Sequence, residues 1–143
     1  MKPNQLEWKW RDMILEQDDL ALIEAARAAI RKNYDKTACL HTVGTAVRCA
    51  NGNIYTGVNL YSIHGACAEQ VALGAAVTVG ERDFACIVAV RGEMGEEILS
   101  PCGNCRQILA DYAPRCAVIV RDGAGPVKMP ASELLPFAYR TET

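Results

Sequence analysis

Apolar positions change their period several times along the chain, and each change marks an element. Leu6, Trp10, Met13 and Ile14 fall on one helical face. They predict an amphipathic helical extension over 1–17, ahead of one domain over 18–143, with Trp8 and Trp10 packed on the domain or a neighbouring subunit. Asp18 or Asp19 caps a second, alanine-rich helix from Leu20 to Tyr34. Val43 to Cys49 alternates as a strand does, and Asn51-Gly52 is a hairpin signal before Ile54 to Val58. Cys67 to Val79 reads as a helix of small and apolar residues stopped at Gly80. Phe84 to Val90 is continuously apolar, as a strand buried on both faces requires. Cys102 to Tyr112 is a short helix, Cys116 to Val120 a second buried strand and Val127 to Met129 an edge strand. Ser132 to Leu135 makes a final helical turn. Strands alternating with helices after a hairpin predict an α/β fold, a three-layer α/β/α sandwich on a mixed five-stranded sheet.

Composition narrows the function without naming it. Half of the 143 residues are apolar, enough for one sizeable core. The net charge of −2 is spread along the chain with no basic block to neutralise phosphates, which argues against a nucleic-acid polymer as partner. No apolar run approaches membrane-spanning length and the N-terminus is polar, so a cytoplasmic protein with no membrane partner is expected. The cysteine count is seven, an odd number. Cys39, Cys49, Cys86 and Cys116 mostly fall in apolar, strand-like stretches, where a free thiol acts as a small hydrophobe in a reducing compartment.

The remaining three cysteines carry the chemistry. Cys67-Ala68-Glu69 is followed by Pro101-Cys102-Gly103-Asn104-Cys105. A catalytic zinc site takes three protein ligands and leaves a fourth position for water. Bound zinc lowers the pKa of that water, and Glu69 supplies the proton carrier that the metal cannot. A structural zinc knot normally has four closed ligands, yet Cys67 has no second ligand at knuckle spacing. Such a site also has no use for Glu69. A bare Cys-x-x-Cys serves redox chemistry equally well, but Cys-x-Glu with a downstream Pro-Cys-x-x-Cys is the zinc-deaminase pattern. Both ligand segments are expected to open helices, whose N-termini offset the surplus negative charge of three thiolates on one zinc.

From Asp19 onward the chain resembles the cytidine deaminase superfamily, in the small three-cysteine branch that includes nucleoside cytidine deaminases and blasticidin S deaminases. Thr56-Gly57-Val58-Asn59 is similar to the family's substrate-binding strand end, and Ser100 to Gln107 to its second zinc segment. Glu133 to Tyr139 looks most like the blasticidin-type tail. The resemblance implies one Zn²⁺ per chain on Cys67, Cys102 and Cys105, with Glu69 as proton shuttle. It implies that Asn59 bonds the sugar or its substitute, that the Ala68 N–H meets the ring carbonyl, and that the Ser100 carbonyl meets the exocyclic amine. His41 lies where an aromatic residue often stands near the base, and is either a stacking ring or a partly exposed strand start. His64 is expected to line the entrance or face solvent. Family members of this size are generally homotetramers, so Phe137 and Tyr139 are placed to close a partner's pocket. The chain also departs from the pattern. Tyr61, as in the blasticidin-type branch, replaces the glutamate that grips ribose hydroxyls; it either touches substrate or packs in the core or an interface. The loop from Asn59 to Cys67 is shorter than in nucleoside deaminases. Gln70 replaces an arginine common after the catalytic glutamate, and Asn104 an arginine of the blasticidin enzymes. Arg106 either offsets thiolate charge or lies in solvent.

The implied function is a zinc-dependent hydrolytic deaminase that releases ammonia from the exocyclic amine of a cytosine-type nucleoside or a blasticidin-like antibiotic. The partner is then a small aminopyrimidine. A plain cytidine or deoxycytidine deaminase of pyrimidine salvage is the alternative within the family, and a non-catalytic, zinc-stabilised binding protein the alternative outside it.

Overall fold

The computed structural model describes residues 15–141. The extension expected over 1–17 lies almost wholly outside them. Helix α1 spans Gln17–Asn33 and begins earlier than Leu20 because Glu16, not Asp18 or Asp19, is its N-cap. Asp19 sits one turn inside, and its Oδ2 accepts the Glu16 N–H at 2.8 Å, which satisfies a donor the helix leaves free. Leu22, Ile23, Ala26 and Ile30 make the buried stripe of α1.

Strands β1 (Val43–Cys49) and β2 (Ile54–Val58) form the expected hairpin. Gly52, at φ 91°, takes the left-handed position of the turn, which explains why Asn51-Gly52 marks it. Helix α2 (Ala68–Thr78) follows, then β3 (Phe84–Arg91), β4 (Glu97–Leu99) and helix α3 (Gly103–Tyr112). The chain continues through β5 (Ala117–Asp122), β6 (Gly125–Pro130) and a 3₁₀ turn at Ala131–Glu133. The sheet order is β2-β1-β3-β5-β6, and β4 pairs with β3 beyond the end of β5. Only β3 and β5 run parallel, and the connection between them carries α3. The mixed sheet therefore has the five expected strands plus β4, three residues too short to leave a period in the sequence.

Two cores flank the sheet. On one face α1 covers Ala46, Cys86, Val88, Val90 and Ile119. On the other, α2 and α3 bring Leu73, Ala76 and Leu109 onto Val47, Ile87, Val118 and Val120. Helices on both faces make the three-layer α/β/α sandwich. Glycines set two of the approaches. A Cβ on Gly44 would lie 2.6 Å from the Ala26 carbonyl of α1, and one on Gly57 would lie 2.6 Å from the Ala72 nitrogen of α2. The second approach matters for function, because β2 leads to Asn59 and α2 carries Glu69.

Away from the α2–α3 side, a carboxylate of α1 is buried in this frame. Asp19, 1% exposed, bonds Lys128 of β6 at 2.8 Å and Arg48 of β1 at 3.5 Å. Arg48 thus anchors α1 to the sheet, and it also donates to the Asp18 carbonyl at 2.9 Å. Burial works against the Asp19 charge, but the Glu16 N–H and the two cations outweigh it and hold its pKa below the usual carboxylate value. Cys49, Cys86 and Cys116 are buried free thiols, and burial pushes Cys49 and Cys86 up to about 12. Cys39 departs from that pattern: it is exposed, at φ 55° in the segment before β1. No helix among the described residues is long and apolar enough to cross a membrane.

Candidate active site

Two helix N-termini meet on the α2–α3 side of the sheet. Cys67 is the N-cap of α2 and Cys102 the N-cap of α3, with Cys105 in the first turn of α3. All three Sγ atoms lie within 4.8 Å of one another, and those of Cys67 and Cys102 are 3.7 Å apart. Among the described residues no other three metal-ligating side chains converge in this way. Three soft sulfur donors with one side open suit a single tetrahedral zinc that keeps a position for a non-protein ligand.

Backbone geometry bears on the charge of this cluster. Burial opposes the Cys102 thiolate, but the N–H groups of Cys105 and Asn104 and the neighbouring sulfurs more than offset it, so its pKa lies below the ordinary thiol value. Burial raises Cys67 and Cys105, and the Glu69 carboxylate beside Cys105 raises that thiol further. Gln70 contributes as a cap: its Oε1 accepts the Cys67 N–H at 3.3 Å.

Glu69 points inward from the first turn of α2. It is 7% exposed, and its Oε2 lies 3.5 Å from Cys105 Sγ. Burial lifts its pKa above the usual glutamate value. A carboxyl raised in this way gives up and takes back a proton nearer neutral pH than a surface glutamate does.

A cavity of about 380 Å³ opens over these groups. Asn59, Tyr61, Ala68 and Ser100 line it, and so does His64 at the entrance. Ala68 is the first residue of α2, so its N–H has no partner within the helix. The loop from Leu60 to Ala66 is closed by a pair of backbone bonds between those two residues, which keeps Tyr61, Ser62 and His64 at the rim. Among the described residues Glu69 is the one acidic side chain in the lining, and no lysine or arginine joins it.

Asn59 is only partly free. Its Oδ1 already accepts the N–H groups of Thr42 (2.8 Å) and Val43 (3.0 Å), and its amide nitrogen makes one long bond to Thr42 Oγ1 (3.5 Å), which leaves the other N–H of that nitrogen as its offer to a ligand. His41 stands behind it, outside the lining, with Nδ1 donating to the Asn59 carbonyl at 2.8 Å. Tyr139 is also elsewhere. It lines a separate cavity of about 560 Å³ along the C-terminal segment, where its carbonyl accepts from Gln107 Nε2 at 2.9 Å. Phe137 is fully exposed, at φ 55°. Val43, Leu99 and Ser62 also line the cavity without having been singled out as site residues in the sequence. Val43 looked like any strand residue, and Leu99 reaches the rim through β4.

A family model described as the cytidine and deoxycytidylate deaminase zinc-binding region matches residues 16–121. The chain belongs to this family. A blasticidin-S deaminase of Bacillus cereus is 38% identical over 134 residues, covering 87% of this chain and 94% of that protein. A cytidine deaminase of Sporosarcina psychrophila is 34% identical over 106 residues, covering 70% and 76%. Among solved structures, a cytidine deaminase from Burkholderia pseudomallei superposes with a TM-score of 0.69 at 31% identity, over 87% of this chain and all of that one. The fold is thus the cytidine deaminase-like one. The chain is a zinc-dependent deaminase, with Cys67, Cys102 and Cys105 positioned to bind one metal ion.

Proposed function

We propose that this deaminase hydrolyses the exocyclic amine of a cytosine-type nucleoside, with a modified nucleoside or a blasticidin-like compound preferred over plain cytidine. The observation that carries the reading is the buried Glu69 beside the three-thiol cluster, on a cavity to which the described residues bring no lysine or arginine. Such a cavity favours a substrate without a phosphate over a nucleotide, whose phosphate would be buried without a partner. The 38% identity to a blasticidin-S deaminase and the presence of Tyr61 in place of a carboxylate support the preference.

Zinc held by Cys67, Cys102 and Cys105 supplies a Lewis acid that makes water a nucleophile at neutral pH. Glu69 takes a proton from the attacking water and passes it to ring N3. It then carries the second proton to the departing amine, so that water and the aminopyrimidine leave as the oxo-pyrimidine and ammonia. The Ala68 N–H donates to the ring carbonyl, and the Ser100 carbonyl accepts from the amine. Asn59 donates through its amide nitrogen to an oxygen of the sugar or its substitute, and His41 holds the Asn59 backbone in place. Tyr61 presents a flat apolar face and one hydroxyl where a hydroxyl-gripping carboxylate would otherwise select ribose. The enzyme works as a cytoplasmic homotetramer, in which the exposed Phe137 and Tyr139 close a neighbour's cavity.

An ammonia-release screen tests this reading. The panel is cytidine, deoxycytidine, 5-substituted cytidines, cytosine, cytidine 5′-monophosphate and blasticidin S. Turnover of a modified nucleoside or blasticidin S above cytidine, and of the nucleotide well below it, is the expected order. Equal efficiency on cytidine and everything else would leave plain cytidine deamination as the function. No ammonia from any member would favour a non-catalytic zinc protein.

A further inference from the structure

Arg106 follows the last zinc-binding cysteine and is half-buried. Its Nε donates to the Pro101 carbonyl at 2.8 Å, and its Nη1 to the Leu134 carbonyl at 3.1 Å. Its own backbone N–H donates to the Cys102 carbonyl at 2.9 Å. One residue therefore holds the peptide groups on both sides of Cys102. The far anchor is firm as well. The turn that leads to Leu134 is tied down by Ala131 N–H to the Cys116 carbonyl and Ser132 N–H to the Pro114 carbonyl, both at 2.9 Å.

We propose that Arg106 is a positioning residue of the metal centre, a strut that fixes Cys102 by bracing the Pro101 carbonyl against the C-terminal turn. The peptide between Pro101 and Cys102 is held at its carbonyl oxygen by Arg106 Nε. Two carbonyls in different directions need two diverging donors in one rigid plane, which guanidinium has and an ammonium on a flexible stem lacks. Both hydrogen bonds of the side chain go to neutral carbonyls and neither to a cysteine sulfur, so what these contacts supply to the metal site is geometry. The C-terminal turn thereby becomes part of the metal site, although it contributes no ligand.

The test measures zinc release from the loaded enzyme into excess chromophoric chelator, with thermal melts of the loaded and stripped forms alongside. Arg106→Lys keeps the charge and one donor. Gln107→Ala leaves the Arg106 contacts in place and removes the neighbouring ties to the Tyr139 carbonyl and, within α3, to the Asp111 carboxylate. Outer contacts of metal ligands are typically worth about 10- to 100-fold in affinity. Arg106→Lys and Arg106→Ala are expected to release zinc about tenfold faster than wild type, and Gln107→Ala within about twofold of it. Release from Arg106→Lys at the wild-type rate would show that charge suffices and overturn the proposal. So would equal acceleration in Gln107→Ala, which would mean general loosening of α3. If Arg106→Ala does not fold, Arg106→Lys and Gln107→Ala still decide the question.

Discussion

Gly57→Ala probes the coupling of sheet and site with one methyl group. The added Cβ would lie 2.6 Å from the Ala72 nitrogen, 2.9 Å from Val71 Cβ and 3.0 Å from the Ala68 carbonyl. Two of these neighbours are helix backbone, which does not swing aside as the end of a side chain would. Bringing the closest contact to an ordinary 3.4 Å requires β2 and α2 to part by about 0.8 Å. Overpacking of this kind costs about 1–3 kcal/mol. The reduced entropy of an unfolded alanine returns about 0.4–1 kcal/mol. The net loss lies between about 0 and 2.6 kcal/mol and centres at about 1.3 kcal/mol, which lowers Tm by roughly 4 °C in a domain of this size. The displacement falls between Asn59, next after β2, and Glu69, on α2. Misplacement of about 1 Å between reacting groups can cost on the order of 100-fold in rate. The expected variant is therefore folded and binds zinc, but is far more impaired in kcat/KM than in stability. Denaturant midpoints and ammonia release on the best substrate measure the two effects. Wild-type stability and rate in Gly57→Ala would refute the close-approach argument.

Asp19→Asn removes a buried charge with two cationic partners and a backbone donor, and is expected to cost about 2 kcal/mol. The folded-state pKa of Asp19 is depressed below 3.8, so its contribution is complete above the unfolded pKa and is lost as pH falls through the lower folded value. The stability difference between wild type and Asp19→Asn should accordingly shrink below about pH 4 in acid titrations followed by circular dichroism. Stripping zinc with a chelator should lower Tm and abolish ammonia release, and zinc should restore both, because metal binding is coupled to folding. Zinc uptake should release protons and weaken as pH falls, since burial favours the neutral thiols of Cys67 and Cys105 in the metal-free site; calorimetry in buffers of different ionisation enthalpy reads this.

The readable parts of this protein are those whose causes are local. The apolar run of β3 and the turn chemistry at Gly52 act over a few residues, and so do the cysteine spacings that cap α2 and α3. Side-chain partners far along the chain left no such trace. Asp19 looked like a helix cap, but its place one turn inside α1 depends on Lys128 and Arg48, which arrive from two strands. Asn59 was legible as a strand-end polar residue; that its oxygen is spent on Thr42 and Val43 is a property of how β1 starts. Arg106 was open between two readings and took a third, since its acceptor at Leu134 lies 28 residues away. Strand β4 is too short to show a period, and so the route by which Leu99 reaches the cavity went unread.

Glu69→Gln tests the central claim most directly, with zinc content and ammonia release measured on the same preparation. The amide keeps the size of the side chain and its place beside Cys105, and removes only its capacity to carry a proton. The variant is expected to retain one zinc per chain and a wild-type melt while losing at least about 10²- to 10⁴-fold in turnover. Near wild-type turnover with zinc in place, or zinc lost together with activity, would contradict the role given to Glu69.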